Sequence, residues 1–142
     1  MSEKYVAVLD KGVQDAHAWI NEIDKGMLWD NPQRSYRLLR AVLHALRDWL
    51  NADEAAQLSA QLPLVIRGIY FEGWNPSATP AHPRTKEDFV ARVQLDFRTD
   101  PIAEPDWAIS TVFMVLARHV SAGEIDEVRG DLRKALRDLW PE

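Results

Sequence analysis

Apolar residues recur along this chain at helical spacing. Trp19, Ile20, Ile23 and Met27 fall at i, i+1, i+4 and i+8, one face of a helix, and Phe89, Val90, Val93 and Phe97 repeat that spacing. Between 33 and 50, Leu38, Leu39, Val42, Leu43, Ala45, Leu46, Trp49 and Leu50 cover one side of a second helix, with Arg34, Arg37, Arg40 and Arg47 on the other. A counterpart near 104–120 carries Trp107, Ile109, Val112, Phe113, Met114, Val115, Leu116 and Val120. It lacks the arginine stripe, so it is expected to be the more deeply buried of the two. A third helix opens at an Asn51 cap with Asp53 and Glu54 in its first turn, where the helix dipole favours acids. Its counterpart opens at Ser121 with Glu124 three residues on, the spacing of a capping box. Pro63 predicts a kink or a break in the first of these helices. Arg133 holds the equivalent place in the second, which is expected to run straight through Ile125, Val128, Leu132, Leu136 and Leu139.

These correspondences share one register. A shift of 70 positions, without a gap, lays Val42 on Val112, Leu46 on Leu116, Glu54 on Glu124, Leu62 on Leu132, Arg67 on Arg137 and Tyr70 on Trp140. The matches concentrate at apolar positions, so the shared feature is a core pattern. The expectation is an all-α fold: six main helices in two similar three-helix halves, about 13–72 and 83–142. A unit of about 70 residues is marginal alone, which favours one compact bundle and a single domain over 1–142.

Punctuation supports this division. "WDNP" and "RTDP" each stop one helix and cap the next, and Thr85 with Asp88 suggests a capped start for the second copy's first helix. Residues 75–84, "NPSATPAHPR", form a proline-rich linker, stiff and non-helical.

Composition narrows the function classes. Cysteine is absent, which excludes disulfides, zinc–thiolate sites, iron–sulfur clusters and thiol catalysis. A net charge of −5 argues against a nucleic-acid partner. No apolar run approaches the ~20 residues of a membrane helix, and the N-terminus does not read as a signal peptide, so a cytoplasmic location is expected. No pair among His17, His44, His82 and His119 has the i, i+4 spacing of a helical metal site; His44 flanks an apolar face, and His119 takes the register position of Trp49 at the core edge. No HExxH motif, serine elbow or phosphate loop is present, so no catalytic residue, metal or cofactor is expected. The arginine stripe reads as a solvated face pairing with the chain's acids, with binding of an acidic partner as the competing use.

The most distinctive stretch is "RGIYFEGWNP", residues 67–76. Arg67, Ile69 and Tyr70 fall in register with the end of the second copy, so Tyr70 is expected to plug the bundle's end. Glu72 and Trp74 have no counterpart. Arg67, Tyr70, Glu72 and Trp74 are the candidate ligand or interface residues, with a hinge clasp between the halves as the structural reading of the last two.

"RAVLHALRDWL", "SAQLPLVIRGIYFEGWNP" and "RGDLRKALRDLWPE" together resemble a bacterial family of uncharacterised helical proteins, domain of unknown function 2267. Gln61–Pro63 and Tyr70–Trp74 are the most specific points of likeness, and the resemblance covers almost the whole chain. The second copy departs from the pattern, with "GDLR" where members often repeat "AQLP". The resemblance implies an all-helical bacterial protein and no particular reaction. The leading functional expectation is a non-enzymatic interaction or scaffold module, through a protein partner or self-association. The alternative is a small-ligand-binding protein or an enzyme, with a pocket between the halves.

Overall fold

The computed structural model describes residues 6–81 and 85–141. Among these residues the secondary structure is entirely helical: α1 (Ala7–Met27), α2 (Pro32–Trp49), α3 (Ala52–Ser59), α4 (Leu64–Phe71), α5 (Lys86–Leu95), α6 (Pro105–His119), α7 (Ala122–Asp131) and α8 (Lys134–Arg137). A 3-10 turn, Pro76–Ala78, lies in the linker expected to be free of helix. His82, Pro83 and Arg84 fall outside the described residues.

Both third helices divide in two, so eight helices stand where six main ones were expected. Pro63 sits at the N-cap of α4, with φ −59° and ψ 157°, and breaks the helix outright. Arg133 holds nearly the same extended angles, φ −65° and ψ 152°, at the N-cap of α8. The expectation of a straight helix there fails. The cause is packing: Leu132 and Leu136, on either side of the break, both point into the core.

Local chemistry explains most boundaries. The Asn31 side chain accepts the Arg34 amide at the start of α2, and Thr85 accepts the Asp88 amide at the start of α5. The "RTDP" segment does not cap α6, which instead begins at Pro105, a residue whose fixed φ suits a first helical turn. α1 ends on Leu28 in the left-handed region, φ 58°, an unusual place for a branched side chain.

A continuous core links the two halves. Trp19 and Ile23 of α1, the apolar side of α2, Phe89 and Val93 of α5 and the inner face of α6 form one cluster, closed by Tyr70 at one end and Trp140 at the other. Trp140 stacks on Phe113 with ring centroids 4.1 Å apart. α1 and α6 approach closely: a Cβ on Gly26 would stand 2.7 Å from Thr111 Cγ2, so only glycine fits without movement.

α2, not α6, is the more deeply buried helix. Ala41 to Arg47 are buried without interruption, whereas Trp107 on α6 is 56 % exposed and Met114 half-buried. The arginine stripe misled the comparison, because Arg47 is buried and Arg34 and Arg40 are half-buried, leaving Arg37 as its exposed member.

Candidate functional site

Of the four residues singled out from the sequence, Tyr70, Glu72 and Trp74 lie at the C-terminal end of α4, and Arg67 reaches back to the α3–α4 corner. Arg67 donates from Nε to the Ser59 carbonyl at 2.9 Å and from Nη2 to the Leu62 carbonyl at 2.9 Å, holding the α3–α4 corner. Tyr70 is fully buried, and its hydroxyl donates to the Ala55 carbonyl at 2.8 Å. Burial pushes its phenol pKa up, so it stays a neutral donor. Glu72 is exposed and ion-paired with Arg40 at 2.8 Å. That hydrogen bond holds its carboxyl below the usual range, the reverse of a carboxylate tuned as a general acid. Trp74 packs on Phe71, with ring centroids 5.2 Å apart.

Glu72 and Trp74 therefore fasten α4 to its own half. The element that holds this end is Arg47, which the sequence grouped with a solvated stripe. Only 3 % of its side chain is exposed. Nη1 donates to the carbonyls of Tyr70 and Glu72, each at 2.8 Å, and Nε donates to Asp48 Oδ1 at 2.9 Å. His44 adds a contact of 2.7 Å from Nε2 to the Ile69 carbonyl. A buried arginine and a buried histidine thus bind carbonyls that a helix C-terminus leaves free. Burial lowers the His44 pKa, which keeps the ring neutral. Asp48 carries the connection to the second half: its carboxylate pairs with Arg92 at 2.8 Å and its carbonyl accepts the Ala81 amide at 2.7 Å.

The other stripe residues are engaged as well. Arg34 pairs with Asp100 at 2.8 Å and lies over the Trp29 and Phe97 rings. Arg37 lies over Phe97 and donates to the Asp96 carbonyl at 2.9 Å. Phe97 is fully buried between α2 and the end of α5. His119, expected at the core edge, is half-exposed; it stacks on Trp19 and meets Glu22 at 2.7 Å.

A second constellation lies where α3 meets α7. The Asn51 amide and its Nδ2 donate to the two carboxylate oxygens of Asp131, each at 2.8 Å. The Ser121 amide donates to Gln61 Oε1 at 2.7 Å, and Gln61 Nε2 donates to Ser121 Oγ at 3.1 Å. The shift of 70 exchanges these pairs, laying Asn51 on Ser121 and Gln61 on Asp131. Between them sit Glu54 and Glu124, which also match in that register. Burial, and then a hydrogen bond with Glu124, pushes the Glu54 carboxyl up to about 8. Sequence reading accounted for both acids as helix-start residues and missed their meeting. The signal that could have found it is the register itself, since Glu54 and Glu124 fall on each other in the shift of 70.

Cavities border other residues. A cavity of about 520 Å³ is lined by Lys86, Glu104, Asp106, Trp107 and Asp138 among others. A groove of about 310 Å³ runs between α1 and α6, past Glu22, Gly26, Met114 and Arg118.

Comparison with known families is decisive for kinship. The family of uncharacterized conserved proteins DUF2267 matches residues 16–139. The chain belongs to the DUF2267 family. No curated protein matches it. Kinship with DUF2267 brings no reaction with it, so function has to be argued from this chain's own surface and seams. Among the described residues, no helix is long and apolar enough to cross a membrane.

Proposed function

We propose that this DUF2267 protein is a non-enzymatic interaction module of the bacterial cytoplasm that self-associates through α1. The observation that carries this reading is an aliphatic face left in water along the first half of that helix. Val8 and Leu9 are 63 % and 56 % exposed, and Val6 and Val13 are also exposed. Leu64, at the start of α4, extends the patch; its side chain lies against Gly12, on the turn between Leu9 and Val13. Clustered exposed aliphatics mark interaction surfaces more often than scattered ones do. Val6, Val8, Leu9 and Val13 precede the family match at residue 16, and Leu64 lies within it.

A second copy is the favoured occupant because the helix complements itself in charge. Lys11 and Asp15 pair along one side at 3.1 Å, and in an antiparallel α1–α1 contact the lysine of each copy meets the acids of the other. Arg67 and Tyr70 serve this module by holding α4, and with it Leu64, against α3. The test is light scattering coupled to size exclusion at about 100 μM, a concentration at which a micromolar dimer is occupied. A dimer is expected for the natural sequence and a monomer for the Val8→Asp, Leu9→Glu double variant. A monomer for both rejects self-association.

The two-half organisation also enters as a reading of our own. We take the halves to descend from one duplicated three-helix unit, with one shared core. The reciprocal bonds of Asn51 with Asp131 and Ser121 with Gln61 support that view.

A further inference from the structure

The α3–α7 seam buries two acids. Glu54 and Glu124 are each 8 % exposed. The Oε2 atom of each is shut off from solvent and has no hydrogen-bond partner among the described residues. Both stand three residues after a helix cap, where a capping box would fold the carboxylate back onto the cap's own amide. In both helices that amide is already taken, Asn51 by Asp131 and Ser121 by Gln61. The two carboxyls turn to each other instead. Glu127, exposed and three residues further along α7, brings a third: one oxygen from each of the three lies within 4.8 Å of the others.

We propose that this seam binds a hard divalent cation, with Glu54, Glu124 and Glu127 as its protein ligands and water completing the shell. An all-carboxylate donor set selects Ca²⁺, Mg²⁺ or Mn²⁺ over metals that prefer nitrogen or sulfur. Ca²⁺ is the probe of choice among these, because its flexible coordination accepts oxygen ligands at irregular positions more readily than the octahedral shell of Mg²⁺ does. Glu124 supplies a buried ligand, and the exposed Glu127 gives the ion a way in from solvent.

Carboxylates ligate a cation in their ionised form, and the ion offsets the repulsion of the three acids brought together here, so apparent affinity rises with pH. Because Glu54 belongs to the first half and Glu124 and Glu127 to the second, the bound ion ties the halves together and stabilises the whole chain.

The experiment is a melting titration of the EDTA-dialysed full chain with CaCl₂, against NaCl at matched ionic strength. At pH 8.5, about 10 mM Ca²⁺ is expected to raise the melting temperature by about 4 °C, as expected for a site occupied well above its dissociation constant. At pH 5.5 the rise should vanish. Glu127→Gln, a surface change, should leave the calcium-free melting temperature in place and abolish the rise. Glu54→Gln should also abolish it. No calcium-dependent rise at pH 8.5 overturns the proposal. So does a rise that is undiminished in Glu127→Gln, since the ion then binds elsewhere.

Discussion

Arg47 and Glu72 stand at the same end of α4 and differ in what they contribute. The Arg47 guanidinium is buried and satisfies two α4 carbonyls and the Asp48 carboxylate. Arg47→Met leaves all three acceptors without their donor, and we expect a loss of about 3–5 kcal/mol in urea unfolding. Glu72 meets Arg40 at the surface, where solvent screens the pair. Glu72→Ala is expected to leave the unfolding midpoint unchanged, and a large drop would show that the clasp depends on it after all. The sequence grouped Arg47 with a solvated stripe and singled out Glu72 as a candidate interface residue. An arginine at the border of an apolar face reads as solvated, and only the arrival of α4 beside it turns it into a buried carbonyl ligand. Tyr70 was more legible, because its register match with Trp140 marked both as core, and both are buried.

At the scale of elements, caps were readable because they need only neighbours in sequence. Asn31, Asn51, Thr85 and Ser121 all accept the backbone amide three residues on. Breaks were less so. Pro63 announced one, yet Arg133 adopts the same backbone with no proline to enforce it. The same break forms with and without a proline, so Pro63 suits the break without being required for it. Pro63→Ala is accordingly expected to change stability by less than about 1 kcal/mol and to leave the helical circular dichroism signal unchanged. A gain in helix content would mean that α3 and α4 fuse once the proline is gone. Leu28 offers a second test. It ends α1 in the left-handed region and is highly exposed. Leu28→Asn relieves that strain at a position where asparagine is tolerated, with an expected gain of about 0.5–1 kcal/mol in thermal unfolding.

At the scale of the whole molecule, the buried acid pair sets the pH dependence of the metal-free protein. The Glu54 carboxyl titrates at about 8 in the folded state and near its ordinary value when unfolded. The unfolded chain thus binds fewer protons between those limits, so stability falls as pH rises through that window and levels off above about 8. Glu124, Glu127 and Asp131 face Glu54 from α7, and their negative charges push in the same direction. His44 acts oppositely at lower pH: burial lowers its pKa, so its contribution is lost as pH falls below about 6.5. In EDTA, stability is expected to decline from pH 6.5 to 8.5, and Glu54→Gln should flatten that decline. A rise over the same interval would mean that the pair does not share a proton. The halves are also expected to unfold together. Their core is continuous, so residues 1–78 and 79–142 made separately should each lack cooperative thermal transitions.

The sequence by itself determined the helical class, the positions of most caps, the apolar core and the family. These follow from spacing and local chemistry, which a linear chain carries in full. Tertiary structure alone decided which polar groups lost their water. It buried Arg47 against α4, divided the helix at Arg133 and brought Glu54 against Glu124. Each of these outcomes depends on what arrives from tens of residues away, and desolvation, the largest influence on buried charged groups, has no signature in spacing.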